Sequence, residues 1–195
     1  MRGSDRPRIA ILISGTGGNM DEIIRSCRSG QLEAETAIVI SDNPDAPGVK
    51  KARSARIETF VSRYRKERPR EENESEIADV IVKRGIDWIV LAGFMRVLSP
   101  GFVKMFRGRI VNIHPALLPS FPGAHAIRDA LKAGADFTGV TIHIVDELVD
   151  HGPIIAQEEV PILPNDTEES LAERIHEAEH RLYPRTLQQL FHDDI

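Results

Sequence analysis

The stretch Val111-Asn112-Ile113-His114-Pro115 places two hydrogen-bonding side chains two residues apart. If it is a strand, its two-residue period sends Asn112 and His114 to one face. Asparagine offers an amide donor, and histidine offers a donor that can also carry charge. Two converging donors of this kind suit the oxyanion formed when a nucleophile attacks an acyl carbon. The bland alternative is a pair of structural hydrogen-bonders beside a proline-rich loop. By the same alternation His143 shares a face with Thr141 and Val145, which makes it a competing histidine for one cleft.

A second stretch, Val145-Asp146-Glu147-Leu148-Val149-Asp150-His151-Gly152-Pro153, is an acidic turn. A carboxylate there would favour the imidazolium form of a nearby histidine. Asp146, Glu147 and Asp150 all qualify, and spacing does not choose between them. The third stretch is Ser14-Gly15-Thr16-Gly17-Gly18-Asn19. Glycines let backbone N–H groups crowd one point, and a helix N-terminus adds partial positive charge. That is a phosphate site built without basic side chains. The dinucleotide pattern G-x-G-x-x-G fails at Met20, and a P-loop would need a lysine that is absent. A single phosphate, as on a phosphosugar or mononucleotide, fits better. A fourth pattern, His176-Glu177-Ala178-Glu179-His180, matches H-E-x-x-H, the zinc-protease signature. It continues Arg181-Leu182-Tyr183-Pro184 rather than toward a further ligand, so no metal site is expected.

These side chains need a scaffold with strand ends at one edge. Residues 8–14 (RIAILIS) form a continuous apolar run, the signature of a strand buried on both faces. Residues 19–29 read as a helix with Met20, Ile23, Ile24 and Cys27 on its inner stripe, which makes Cys27 a small core residue. Further strands are expected at 36–41, 57–61, 87–92 and 109–113, and further helices at 49–55 and 71–84, the latter closed by Gly85. Residues 62–76 are highly charged and read as a solvated loop and helix start. Strands at 138–145 and 153–160 are too close for a helical crossover, so they should pair antiparallel. A long helix is expected at 166–191, kinked or divided by Pro184. The fold class is therefore α/β: a doubly wound, mostly parallel sheet with an antiparallel C-terminal strand pair and a long terminal helix. By the switch-point rule, ligands should bind at the carboxyl ends of its parallel strands.

Composition narrows the function. With 41% hydrophobic and 28% charged residues, a 195-residue chain can bury one sizeable core, and residues 1–195 are expected to form a single domain. Twenty-five Lys+Arg against 30 Asp+Glu give a charge of −5. An acidic chain makes a poor sequence-independent nucleic-acid binder. One cysteine excludes an internal disulfide and a multi-cysteine metal site. No apolar run reaches membrane-spanning length. The apolar run after MRGSDRP leads into a glycine turn rather than a cleavage site, so a cytoplasmic location is the default.

The segments SGTGGN, VLAGFMRVLSP, IVNIHPALLPSFPG and VDELVDHGPII followed by EEVPI resemble the glycinamide ribonucleotide transformylase family, folate-dependent phosphoribosylglycinamide formyltransferases. The resemblance runs from residue 9 to residue 190. IHPALLP and DELVDHGP mark the wider formyltransferase superfamily; the glycine turn and AEHRLYP point to the purine branch. The resemblance implies transfer of a formyl group from 10-formyltetrahydrofolate, the co-substrate, to the amine of glycinamide ribonucleotide in purine biosynthesis, with no metal. It implies Asn112, His114 and Asp150 as catalytic residues. It implies a folate site at Arg70, Met95, Arg96, Val97, Leu98 and Asn112, and on the loop of Asp146, Glu147, Leu148, Val149 and Asp150. Gly17, Gly18 and Asn19, with His176 and Glu179, are implied to bind the ribonucleotide. An N-terminal phosphate-binding half, 8–110, and a folate and catalytic half, 86–191, follow. Thr16-Gly17-Gly18 stands where many members have Asn-Gly-Ser, which leaves phosphate to backbone amides and Thr16. The partners implied are small molecules, with no nucleic acid and no membrane, in a monomer or homodimer.

The rivals share the chemistry. A methionyl-tRNA formyltransferase would need a further C-terminal domain and a basic RNA surface. A formyltetrahydrofolate hydrolase would carry a regulatory domain ahead of the first strand. A non-catalytic folate- or nucleotide-binding module would bind without turnover, and the set Asn112, His114 and Asp150 argues against it.

Overall fold

The computed structural model describes residues 6–62, 64–65 and 67–192. Residues 1–5 of the N-terminal reading, and 63 and 66 of the charged stretch, lie outside the described residues. Strand β1 (Arg8–Ile13) shows why a continuous apolar run becomes a central strand. Its alternate residues Ile9, Ile11 and Ile13 pack into one apolar cluster, and Ala10 and Leu12 into another on the opposite face. Both sets are wholly buried, and each Ile or Leu side chain among them contributes about 1.5–3 kcal/mol.

β1 leads through Gly17 into α1 (Gly18–Ser29), whose Met20, Ile23 and Ile24 meet the first cluster. β2 (Glu35–Ser41), α2 (Pro47–Ser54) and β3 (Thr59–Val61) extend the sheet to one side of β1. The chain then returns through α3 (Arg70–Lys83) to β4 (Trp88–Leu91) on the other side, followed by α4 (Pro100–Met105) and β5 (Ile110–His114). After α5 (Ala126–Lys132) come β6 (Phe137–Ile144), β7 (Ile154–Pro161) and the long α6 (Glu168–His192). The single seven-stranded sheet runs β3-β2-β1-β4-β5-β6-β7. The first five strands are parallel, and β6 and β7 are antiparallel to their neighbours. The strand order reverses between β1 and β4, so a cleft opens at their carboxyl ends.

The expected fold class holds, with three differences. The short helices α4 and α5 carry too few turns for periodicity to reveal them, although Ser99 caps α4 by accepting from the Phe102 amide at 3.2 Å. Pro184 does not divide α6, which is continuous from 168 to 192. A proline deletes one N–H, and here the surrounding turns are held by packing. Neighbouring Tyr183 is fully buried, and its hydroxyl donates to the carbonyls of Leu91 at 2.9 Å and Val111 at 3.2 Å. The charged stretch 62–76 is not wholly solvated, because Ser62, Asn73 and Glu74 are buried. Asn73 Nδ2 donates to the carbonyls of Arg65, Arg68 and Pro69, which folds the preceding loop over its own helix start. Cys27 packs half-buried against the first cluster, and burial pushes its thiol pKa up, consistent with a core role.

Candidate active site

The carboxyl ends of β1, β4 and β5 frame two adjoining regions. In the first, β5 pairs with β6 so that Asn112 faces His143 and His114 faces Thr141. Asn112 Nδ2 lies 3.2 Å from His143 Nε2, and His143 Nδ1 lies 3.0 Å from the Ile144 carbonyl. A carbonyl only accepts, so Nδ1 carries the hydrogen and Nε2 accepts from the Asn112 amide. Burial pushes the His143 pKa down, which keeps that ring neutral and this pattern intact. One hydrogen of Nδ2 is thereby used and the other remains for the cleft.

His114 has two acceptors for its two ring nitrogens. Nε2 is 2.8 Å from the Phe121 carbonyl, and Nδ1 is 3.5 Å from Asp150 Oδ2. A ring with a hydrogen on each nitrogen matches both. Asp150 is itself held by the Gly123 amide, which donates to Oδ2 at 2.8 Å. The loop closes sharply enough to put Asp150 at φ 51°. Gly152 is confined there, since a Cβ would stand 1.9 Å from the Ile144 carbonyl oxygen.

These groups border a cavity of about 250 Å³. Met95, Arg96, Val97 and Leu98 form one wall, and residues 146–150 form the facing wall. The expected folate residues are therefore brought together, except Arg70. That side chain lines a second cavity, about 330 Å³, with Tyr64, Arg65 and Arg68. The two cavities share Met95, Arg96 and Val97 as a common rim. In the loop, Glu147 pairs with Arg107 at 2.8 Å, and Asp146 pairs with His151 at 2.8 Å. Burial works against the charge of Asp146, but bonds from His151 and the Leu148 amide leave its pKa lowered. Among the three acidic candidates, only Asp150 reaches His114.

The second region is the glycine turn. Gly17 caps α1 at φ 73°, and a Cβ there would stand 3.0 Å from Gly48 Cα and from Met20 Cε. Only glycine fits both the dihedral and the space. A Cβ on Gly18 would stand 3.2 Å from His180 Nε2, so α6 lies directly against the turn. Asn19 Nδ2 donates to Glu179 Oε2 at 2.9 Å, and Asn19 Oδ1 is buried without a hydrogen-bond partner. Glu179 is only 5% exposed. Burial raises its pKa, opposed by the Asn19 bond and by the fields of His176, His180 and His114. Ser14, at the start of the turn, joins the two regions, since its amide donates to the carbonyl of Gly93 at 3.0 Å and Gly93 lines the first cavity. Gly17, Gly18, Asn19 and Glu179 thus gather, with His180 of the H-E-x-x-H pattern against the turn, while His176 is placed only near Glu179, one turn earlier on α6. Among the described residues, no cluster of three or more His, Cys, Asp or Glu side chains is arranged to hold a metal.

Sequence reasoning missed the backbone groups of Phe121 and Gly123, which carry no side-chain signal. It also missed Ser14, Asp42 and Glu74, which hold the 95–99 segment. The Met95 amide donates to Ser14 Oγ at 2.8 Å, Arg96 Nε donates to Asp42 Oδ2 at 2.6 Å, and the Ser99 amide donates to Glu74 Oε1 at 2.9 Å.

A family model described as Formyl transferase matches residues 7–187. The phosphoribosylglycinamide formyltransferase of Haemophilus influenzae is 41% identical over 91% of this chain and 84% of that one. The trifunctional purine biosynthetic protein adenosine-3 of Drosophila melanogaster is 46% identical over 95% of this chain, which spans only 14% of that protein. The crystal structure of phosphoribosylglycinamide formyltransferase from Bacillus halodurans superposes with a TM-score of 0.93 at 45% identity, covering 96% of this chain and 97% of that one. A strand edge bearing Asn112 and His114, a glycine turn against α6, the family match over residues 7–187, and the likeness to the Haemophilus influenzae and Bacillus halodurans proteins over most of both chains converge: the chain belongs to the formyl transferase family, among its phosphoribosylglycinamide formyltransferases.

Proposed function

We propose that this chain transfers the formyl group of 10-formyltetrahydrofolate to the primary amine of glycinamide ribonucleotide, a step of purine biosynthesis. The observation that carries this reading is the seam between the two regions. Asn112, His114 and Asp150 line an apolar-walled cavity, and the Met95 amide on its rim donates to Ser14 Oγ, at the start of a glycine turn suited to phosphate. A folate in the cavity and a ribonucleotide phosphate on the amides of Gly17, Gly18 and Asn19 would bring formyl carbon and amine to that seam. The buried Oδ1 of Asn19 and the Glu179 carboxylate are acceptors for the donors of a ribonucleotide.

The amine attacks the formyl carbon, and the carbonyl oxygen gains the negative charge. Asn112 presents its second amide hydrogen and His114 its ring N–H to that oxygen. Asp150 fixes the orientation of His114 and keeps a hydrogen on Nδ1. In this state His114 Nε2–H is held by the Phe121 carbonyl, so that bond is exchanged when substrate binds. One proton leaves the amine, one reaches the folate nitrogen, and the C–N bond to the carrier breaks. No metal and no covalent enzyme intermediate takes part in this account. The reaction is set in the cytoplasm, where a thiol such as Cys27 stays reduced.

Absorbance of the deformylated folate, followed with and without glycinamide ribonucleotide, tests this reading. Product that appears only with the ribonucleotide supports transfer. Equal rates without it mean hydrolysis, and binding without product means a non-catalytic module.

A further inference from the structure

The wall that separates the two cavities is held by a carboxylate that faces neither of them. Glu74, on α3, is 2% exposed. Its Oε1 accepts from the Tyr64 hydroxyl at 3.0 Å and from the Ser99 amide at 2.9 Å. Its Oε2 accepts from the same amide at 3.2 Å and from the Ser99 hydroxyl. One side chain therefore joins the loop before α3 to the end of the 95–99 segment. Burial of a carboxylate is unfavourable unless such donors surround it. Apolar residues could tie these segments together more simply, so a fixed geometry is the gain to look for.

That geometry ends at Arg96. The Arg96 guanidinium lies over the Tyr64 ring, 5.0 Å from its centroid, while Nε is bound to Asp42. A guanidinium held at Nε and stacked on a ring keeps its terminal N–H groups for a ligand. Glu74 fixes the Tyr64 hydroxyl, Tyr64 supports Arg96, and Ser99 anchors the far end of the rim. Burial and the Glu74 charge push the Tyr64 pKa well up, so its hydroxyl stays a donor. Arg70 lines the second cavity together with Tyr64 and Arg96.

We propose that Glu74 is a positioning residue for the acidic tail of the formyl carrier, acting through Tyr64 and Ser99 on Arg96 and on the rim where the two cavities meet. This rests on the folate reading of the first cavity. Glu74 touches no substrate, and its effect depends on whether the ligand has a carboxylate tail for Arg96 to meet. A residue needed only for folding would affect ligands with and without a tail alike.

Calorimetric titration of tetrahydrofolate, and of tetrahydropteroate, which lacks the glutamate tail, separates these cases. Glu74→Gln keeps the shape but removes the charge and exchanges one acceptor oxygen for an amide NH2 that cannot accept. It is expected to weaken tetrahydrofolate about tenfold and tetrahydropteroate by no more than about twofold. Tyr64→Phe keeps the ring beneath Arg96 and loses only the hydroxyl, so it is expected to show the same selectivity at about threefold. If Glu74→Gln fails to fold, Tyr64→Phe decides. Equal losses for both ligands overturn the proposal alone. Failure of the parent protein to bind tetrahydrofolate overturns the folate reading and the proposal with it.

Discussion

The two halves of the site are built by opposite means. The glycine turn is made of backbone and buried groups: Gly17 with no room for a Cβ, Asn19 bonded to a buried Glu179, and α6 packed against Gly18. The opposite wall is made of exposed side chains. Met95 is 70% exposed and Val97 52%, and Leu148 and Val149 are also exposed. A small compact anion suits a rigid backbone cradle. A flat, extended carrier suits an apolar wall of adjustable side chains tied down from behind by Ser14, Asp42 and Glu74. Substitutions in the turn should therefore act through steric exclusion and charge, and those in the wall through looser positioning.

The seam where the halves meet should show the largest effects. Asn112→Ala and His114→Ala are each expected to lower kcat by about 10²–10³, the usual cost of losing an oxyanion donor. His143→Ala removes only the acceptor that orients Asn112, and about tenfold is expected. Steady-state rates at saturating substrates check the ranking. If His143→Ala abolishes turnover while His114→Ala keeps most of it, the roles assigned here are reversed.

Next in size is the turn. Gly17→Val forces a branched side chain into φ 73° and onto Gly48 and Met20. The KM for ribonucleotide should rise between about tenfold and a hundredfold, with the folate KM much less affected. Equal losses for both substrates would make the turn a purely structural element and erase the contrast between the halves.

Glu179 sharpens the contrast through pH. Burial raises its native pKa, so the native state holds its proton more tightly than the unfolded state. Stability linked to this group is present below the unfolded carboxyl range and is lost as pH rises through the raised native value. Glu179→Gln removes that penalty. It is expected to raise Tm near neutral pH while weakening the ribonucleotide about tenfold, the scale of one hydrogen bond to a charged group. A fall in Tm together with unchanged ribonucleotide binding would contradict this.

The smallest effect is expected away from both halves. Arg174 and the Leu163 amide bond Asp166 and hold its carboxyl far below the usual range. The stabilisation is present above the ordinary Asp range and is lost as pH falls toward the depressed native value. Asp166→Asn should lower Tm by about 2–4 °C at neutral pH, and the gap should narrow on acidification.

Much of this was legible in the residues. β1 declared itself because an uninterrupted RIAILI run has nowhere to sit but between two helical layers. The antiparallel β6 and β7 followed from a connection too short for a crossover. Asn112 and His114 share a face because a strand repeats every two residues. What stayed hidden depends on distant segments meeting. Asp150 could not be told from Asp146 and Glu147 by spacing, and only the resemblance selected it. The structure separates them by one contact, the approach of Asp150 to His114. Glu74 read as one more charge in a solvated run, because its partners Tyr64 and Ser99 lie 10 and 25 residues away. Pro184 read as a breaker because local propensity does not register the packing of α6.

Formyl transfer itself is tested most directly by following the carbon. With 10-formyltetrahydrofolate labelled with carbon-13 in the formyl group, mass spectrometry should find the label in the ribonucleotide, one for one with deformylated folate. Label recovered as free formate while the ribonucleotide stays unlabelled would contradict the account.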